Sequence, residues 1–385
     1  MKKSTPKPPA LSDLRAEIDE IDHEVLSLLA RRMRVVEQVA AVKKQDRVAI
    51  RDYQRERQLL DDRTARAEQL GLAPGPIESI YRQIMLASRD YQASLGAATQ
   101  VEVETRDVAI IGGKGEMGTL MARMFSDLGH RVVVADLDTD PTPRQAAAAA
   151  DVVVISVPID VTEEVVADLG RLLRPDALLM DITSLKQAPM AAMLEATRDS
   201  GASVLGTHPM FGPGVHSLQG QRFVVCRGRG DAWHDWLIKN LDARGLVVTE
   251  ATAQEHDRAM ALVQVLTHFQ TQVLGLSLAR IGISLEESRR FTSPAYLMEL
   301  YIAARHFGQD PQLYGPIEML NPETARVTRA FREAATELGE ILEQRDQARF
   351  DAVFDDVRKF FGDFTTEATE QSSFLIDRLV ERSMG

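Results

Sequence analysis

The chain has 385 residues, 44% of them apolar and 26% charged, an ordinary mix for a soluble globular protein and enough length for two or three cores. A net charge of −12 argues against nonspecific nucleic-acid binding, and no run of about 18 apolar residues is present to cross a membrane. The single cysteine, Cys226, excludes a disulfide framework within the chain and points to a reducing compartment, read here as the cytoplasm.

Residues 1–10 carry three lysines and three prolines with no apolar stretch behind them, so they read as a short disordered tail. Charge is uneven beyond that point. Residues 1–92 hold 17 Lys and Arg against 15 Asp and Glu, a net of +2, which leaves −14 for the rest and suggests a local anion site in the first quarter. From Leu11 the apolar positions run Leu14, Ile18, Ile21, Val25, Leu28, Val35, Val39 and Val42, alternating three and four apart as a heptad seam. Ser12 or Asp13 can cap the start, and no Gly or Pro intervenes before Asp46, which predicts one helix of roughly 32 residues, about 48 Å long. Two amphipathic stretches follow at 54–70 and 76–95, separated by Gly71-Leu72-Ala73-Pro74-Gly75.

Arg32 occupies the register position between Leu28 and Val35 where the seam requires a hydrophobe. A cation there either snorkels, pairs with an internal carboxylate, or meets an anion from outside. Lys43 lies about three turns on, nearly on the same face and about 16 Å along the axis, so two long cations can converge on one small anion. Arg15 is about 25 Å from Arg32 along a straight helix and reaches the same ligand only from a second protomer packed antiparallel. Leu14-Arg15, Ile18-Asp19, Leu28-Leu29-Ala30-Arg31-Arg32, Val42-Lys43, Arg51 through Arg57, and Ser88 with Gln92 resemble the all-helical chorismate mutases over about 80 residues. The resemblance implies an intertwined helical dimer whose pocket is lined by Arg15 of the second chain with Arg32, Lys43, Asp52, Arg55, Glu56, Ser88 and Gln92. The reaction so implied needs no nucleophile or cofactor, only a held conformer and charge stabilisation at the breaking ether oxygen. Arg15, Arg32 and Arg55 suit the carboxylates, Lys43 and Gln92 the ether oxygen, and Glu56 the ring hydroxyl.

Residues 93–106 are small and polar, without period, and read as linker. The apolar run Val108-Ala109-Ile110-Ile111 then enters Gly112-Gly113-Lys114-Gly115-Glu116-Met117-Gly118, a GxGxxG that opens into a helical pattern. Gly113 permits the turn, Gly115 lets a pyrophosphate approach, Gly118 allows helix–strand packing, and the helix N-terminus favours phosphate. A second strand, 131–135, ends at Asp136, 18 residues after Gly118, where a carboxylate binds ribose hydroxyls and repels a 2′-phosphate. Asp138 and Asp140 deepen the bias to NAD over NADP. Further strands at 151–158, 177–181, 203–206 and 222–226 predict a doubly wound parallel sheet whose ligand loops include Ser156-Val157-Pro158, Thr183-Ser184-Leu185-Lys186 and His208-Pro209. His208 is the candidate base and Ser184 could orient the same hydroxyl. His256 and His268 fall in a helical region and read, from the sequence alone, as packing or capping residues.

The glycine loop, Ser156-Val157-Pro158-Ile159, Asp181 to Lys186, His208 to Pro213, Glu255-His256-Asp257 and Asp310 to Tyr314 resemble prephenate dehydrogenases. The order of the two segments resembles the bifunctional T-proteins of tyrosine biosynthesis. The resemblance implies a multidomain chain: a helical chorismate mutase module (11–92), a Rossmann-like NAD domain (107–253) and a C-terminal helical substrate and dimerisation domain (254–385). It further implies NAD as cofactor, chorismate and prephenate as substrates, a homodimer, and roles for Ser184, His208 and His268 at the substrate, with Arg305 on a prephenate carboxylate. Leu297 stands where close relatives carry arginine, and Gly214-Val215-His216-Ser217 departs from the expected acidic and small residues. Both bear on side-chain specificity and feedback, not on reaction type. Two other readings stay open: a dehydrogenase with a non-catalytic N-terminal dimerising module, and a β-hydroxyacid or arogenate dehydrogenase.

Overall fold

The computed structural model describes residues 10–45, 52–97, 103–215 and 217–383. Residues 1–9 of the tail expected at 1–10, residues 98–102 of the linker, Arg51 and His216 lie outside them. Three helices come first, α1 (Leu11–Gln45), α2 (Tyr53–Gln69) and α3 (Pro74–Ala97). Helix α1 runs a little further than the spacing predicts, since nothing before Asp46 breaks it. Asp52 starts α2 as its N-cap, its Oδ1 accepting from the Arg55 N–H at 2.9 Å.

The register of α1 corrects the sequence reading. Helices α1 and α2 both pack on α3. The α1 side chains that lose exposure are Leu29, Arg32, Met33, Val36, Ala40 and Lys43, a stripe one residue out of phase with the seam. Arg32 therefore belongs to the face turned to α3 and is no intruder in the heptad pattern. The seam itself is left bare: its members from Leu11 to Val42 are 40–64% exposed in the single chain. An apolar stripe of that length on a charged helix marks an interaction surface.

The central region comprises β1 (Asp107–Ile111), α4 (Glu116–Asp127), β2 (Arg131–Ala135), α5 (Pro143–Ala149), β3 (Val152–Ile155), α6 (Ile159–Leu169), β4 (Leu178–Asp181), α7 (Gln187–Ala196), β5 (Ser203–Pro209), β6 (Arg222–Arg229), α8 (Asp231–Ala243) and β7 (Val247–Ala251). The strands form one sheet in the order β2-β1-β3-β4-β5-β6-β7. Strands β1 and β2 pair in parallel from Asp107↔Arg131 to Ile111↔Ala135, and β4 and β5 from Leu178↔Ser203 to Asp181↔Gly206. The order turns back at β1, flanked by β2 on one side and β3 on the other, which is the switch point where such sheets bind ligands. Strand β5 is longer than expected and takes in His208 and Pro209, so His208 lies in the strand and not in the loop after it. The edge strand β7 was not anticipated, because Thr249 and Glu250 deny it an apolar run.

The C-terminal stretch is helical: α9 (Ala253–Met260), a π-turn at Ala261–Leu266, α10 (Thr267–Ile281), α11 (Leu285–Arg290), α12 (Pro294–Phe307), α13 (Pro311–Met319), α14 (Thr324–Gln344), α15 (Gln347–Phe361) and α16 (Phe364–Ser383). Thr252 and Glu255 form a reciprocal capping box at the start of α9. Among the described residues no helix is long and apolar enough to cross a membrane.

By packing, the chain divides into two compact units. The first takes in the chain up to Val154 with Pro209–Val224 and Gly230–Thr249, and is built on Val108 to Ile111, Met121, Met124 and Phe125, all at most 2% exposed. The second takes in Ile155–His208, Val225–Arg229 and the chain from Glu250 onward, and holds Leu178 to Met180, Met193, Val204 and Leu205, equally buried.

Candidate active sites

In the first unit, α3 gathers the polar residues of the N-terminal helices. The Arg32 guanidinium donates to the Ser88 hydroxyl, which donates in turn to the Ile84 carbonyl at 2.6 Å. Burial lowers the Arg32 pKa below its ordinary value, with Arg63 adding to the effect and Tyr81 opposing it. Among the described residues no carboxylate forms an ion pair with Arg32. A half-buried guanidinium bonded to a hydroxyl keeps its charge available to an anionic group. Gln92, 8% exposed, donates through Nε2 to the Ser88 carbonyl at 3.2 Å, while its Oε1 is buried without a hydrogen bond. Glu56 is held by Arg89 at 2.6 Å, a residue the sequence reading passed over. Lys43 lies half-buried on the Arg32 stripe, whereas Arg15 and Arg55 are exposed and Asp52 serves as a helix cap. The structure thus brings together Arg32, Ser88 and Gln92, and leaves Arg15 far along α1.

The same unit contains the glycine loop. Gly112, at φ +77°, makes the tight turn assigned above to Gly113. Gly113 is required for packing instead: a Cβ there would lie 2.8 Å from Val134 and 2.9 Å from the Ile110 carbonyl. A Cβ on Gly118 would lie 2.6 Å from the Gly112 carbonyl, so helix and loop meet backbone to backbone. Gly115 is the N-cap of α4 and supplies no side-chain cap, which leaves the N–H groups of Glu116 and Met117 directed at the loop's mouth. The Asp136 carboxylate is fixed by the N–H groups of Lys114 at 3.1 Å and Leu137 at 2.9 Å, and Lys114 Nζ pairs with Asp138 at 2.6 Å. A loop closed to side chains, an uncapped helix start and a carboxylate at the strand end fit a dinucleotide with an unphosphorylated ribose. Gly118→Ala is accordingly expected to weaken NAD binding tenfold or more, about 1.4 kcal/mol per factor of ten, while chorismate turnover is unchanged; NAD titration checks it, and unaltered affinity would refute the packing argument.

In the second unit, Ser156 and Val157 are half-buried after β3, and Pro158 is the N-cap of α6. The parallel pairing of β4 and β5 places the Ser184 loop and His208 at the same end of the sheet. That end is braced by Lys186 and Asp181, a fully buried ion pair. Thr183 and Thr207 donate their N–H groups to the same Asp181 carboxylate at 3.1 and 3.3 Å. Asp257, at the other end of the bracing, accepts from the Lys186 and Gln187 N–H groups at 2.8 and 2.9 Å.

His208 is 3% exposed and its Nδ1 lies 2.9 Å from His256 Nε2, while His256 Nδ1 lies 2.8 Å from Asp257 Oδ1. The partners determine the tautomers. Burial works to raise the Asp257 pKa, but hydrogen bonds from His256 and the two backbone N–H groups leave it lowered, so the carboxylate accepts only. His256 therefore donates from Nδ1 and accepts at Nε2, and His208 donates from Nδ1. The lone pair on His208 Nε2 is left to face Gln264, whose Nε2 is 3.4 Å away. Burial, then the nearby His256 and Lys186, hold the His208 pKa well below its usual value and keep the ring neutral. A neutral imidazole backed by an imidazole and a carboxylate is built to take up a proton. His256, read from the sequence as packing or capping, is the middle member of that relay; the hints of it were the adjacent acid, Asp257, and the place of Glu255-His256-Asp257 among the motifs of the dehydrogenase resemblance.

One helical step beyond Gln264, His268 packs edge-on against Tyr314 at 4.8 Å and near His306 at 5.4 Å, and burial together with His306 lowers its pKa to about 4. Arg305 is exposed on α12 and acts electrostatically on Tyr314. Cys226 is no nucleophile, since burial pushes its thiol up to about 12.

Residues 14–93 match the family model of chorismate mutase type II, 122–232 that of the nucleotide-binding domain of prephenate dehydrogenase, and 252–356 that of its dimerization domain. The T-protein of Enterobacter agglomerans is 37% identical over 95% of this chain and 97% of its own, and that of Haemophilus influenzae 35% identical over 98% and 99%. In fold, the chain is similar to prephenate dehydrogenase from Aquifex aeolicus in complex with hydroxyphenyl propionate and NAD+, with a TM-score of 0.55 at 17% identity over 67% of this chain and 97% of that one.

Proposed function

Because this chain belongs to the T-protein family of bifunctional chorismate mutase–prephenate dehydrogenases, we propose that its two clusters divide the work of tyrosine biosynthesis between them. The N-terminal helices rearrange chorismate to prephenate, and the rest of the chain oxidatively decarboxylates prephenate to 4-hydroxyphenylpyruvate with NAD. The observation that carries the second assignment is the relay from Asp257 through His256 to His208, whose Nε2 lone pair faces the Gln264 amide.

For the mutase, Arg32 and the partner's Arg15 hold the two carboxylates, with Arg55 at the rim. Ser88 fixes the Arg32 fork, Lys43 and the second N–H of Gln92 meet the ether oxygen as it gains charge, and Glu56 accepts from the ring hydroxyl. The bare α1 seam supports the homodimer this requires, as does the exposure of Phe291, Met319 and Phe360 (81–82%) in the dimerisation region. Ile21→Glu, placed in that seam, is expected to weaken dimerisation and abolish mutase turnover, read by sedimentation at micromolar protein. A dimeric, fully active variant would remove the seam from the interface.

For the dehydrogenase, Gly113, Lys114, Gly115, Glu116, Met117, Gly118 and Asp136 hold the dinucleotide, with Ser156, Val157 and Pro158 beside it. Bound NAD supplies the hydride acceptor. His208 Nε2 takes the proton of the ring hydroxyl as the hydroxyl carbon gives up hydride, and Ser184 orients that hydroxyl. The ring carboxylate departs as CO2 and its bonding pair completes the aromatic ring. Asp257 stabilises the charge His208 gains, by way of His256. His268 lines the substrate side and Arg305 binds a prephenate carboxylate. The single, buried thiol suits a reducing cytoplasm, where we place the enzyme.

The purified protein should consume chorismate without NAD, and form NADH from prephenate only with it. Chorismate left untouched would reduce the N-terminal helices to a dimerising module. NADH formed faster from arogenate than from prephenate would reassign the substrate.

A further inference from the structure

Gln264 has no part in the mechanism above, yet its side chain meets the base. It lies in the π-turn Ala261–Leu266, where Ala261 and Val265 are fully buried against Val327 of α14, so packing fixes its backbone on both sides. Such turns are rare and recur at functional sites. Gln264 Nε2 lies 3.4 Å from His208 Nε2. The relay determines which end of the amide faces the ring: His208 donates from Nδ1 to His256, so its Nε2 carries a lone pair and the amide presents an N–H. At that distance the contact is longer than a full hydrogen bond. The other end of the amide, Oε1, is buried without a hydrogen bond among the described residues. A glutamine kept for the fold has both ends of its amide paired, and one left half-paired costs stability. Packing therefore does not account for an amide at this position.

We propose that Gln264 is a further catalytic residue of the dehydrogenase, donating an amide N–H to the ring oxygen of prephenate as that oxygen comes to carry negative charge. The proposal rests on His208 as the base, assigned above. Two nitrogens 3.4 Å apart leave a position about 2.9 Å from both, where one oxygen can give its proton to His208 and accept from Gln264. The O–H bond breaks toward His208 Nε2 and the C–H pair leaves as hydride to NAD, which makes the carbon–oxygen bond double. When the ring carboxylate departs as CO2, its bonding pair enters the ring and the carbonyl pair returns to the oxygen. The product oxygen is then a phenolate, which takes up a proton. An N–H aimed at this oxygen binds the charged form more strongly than the neutral hydroxyl, so it acts on kcat more than on KM.

The test follows prephenate oxidation by the full-length protein with NAD, and chorismate loss without it. Gln264→Met keeps the length of the side chain and removes the amide. It is expected to lower dehydrogenase kcat by about a hundredfold with KM within about threefold, the scale of losing one donor to a developing oxyanion. Its melting midpoint should be unchanged or raised, since a buried atom without a partner is deleted. Chorismate turnover should be unaffected. Gln264→Glu keeps the shape and replaces the donor by a carboxylate. It should lower the plateau of kcat/KM at least as far and move the acid limb to higher pH, because a carboxylate beside Nε2 favours the protonated, inactive ring. The groups that already face His208, His256 from α9 and Lys186 at the start of α7, are the same in both variants. A kcat in Gln264→Met within about threefold of the parent overturns the proposal. If that variant melts lower than the parent, Gln264→Glu decides, and an acid limb at the parent's pH overturns the proposal. Unimpaired turnover in His208→Asn would instead overturn the base, and this inference with it.

Discussion

Replacing His208 by asparagine is expected to slow prephenate oxidation by roughly a thousandfold, about 4 kcal/mol of transition-state stabilisation, within the range general bases supply. NAD affinity and chorismate turnover should be unchanged, because His208 belongs to neither the glycine loop nor the N-terminal helices. The pH dependence is the sharper observable. With its pKa held well below 6.5, first by burial and then by His256 and Lys186, the ring stays unprotonated as pH falls through the ordinary histidine value. The active form is the neutral one, so kcat/KM for prephenate should stay level below pH 6.5 and decline only as the lowered pKa is reached. His256→Asn and Asp257→Asn should lower the plateau by about tenfold, since each removes support for the charge His208 acquires. A limb centred at or above 6.5, or normal turnover in His208→Asn, would show that another group takes the proton.

Arg32→Ala is the second substitution with a large expected effect. Here mutase kcat/KM should fall by roughly a thousandfold, the scale of truncating one partner of a buried charged contact. Its structural cost should be small, because Arg32 is half-buried and meets only a hydroxyl in the free protein. Dehydrogenase turnover from added prephenate should be untouched. Chorismate loss that persists at the parent rate in Arg32→Ala would mean that the anion site on α3 is not where the rearrangement occurs.

Local chemistry made much of this legible in advance. The glycine loop could be read because phosphate binding demands small residues at fixed spacing, and Asp136 because ribose recognition falls at the end of the next strand. Arg32 drew notice as a charge among hydrophobes, but for a reason the structure revises: it lies on the stripe facing α3, one residue out of phase with the seam. A heptad tells which residues are apolar, not which neighbour they face, and here the neighbour that α1 buries against in its own chain is not the one the seam is made for. Strand β7 escaped notice because an edge strand needs no apolar run. His256 escaped because a histidine beside an aspartate at a helix start is most often a cap.

The sequence by itself determined the helical and α/β segments, the cofactor loop with its preference for NAD, and the residue types for an anion site and a proton acceptor. All of these are set by spacing along the chain, which backbone geometry converts directly into faces and ends of elements. Only the tertiary structure decided which groups act through which: His208 through His256 and Asp257, Arg32 on Ser88, Glu56 on Arg89. Apart from His256 and its neighbour Asp257, those pairings join residues 33 to 56 positions apart, and a hydrogen bond depends on distance and angle in space, to which separation along the chain is no guide. The glycine at 113 makes the same point in small: its place in the motif was visible at once, but that it serves packing while Gly112 makes the turn was settled by where Val134 and the Ile110 carbonyl come to lie.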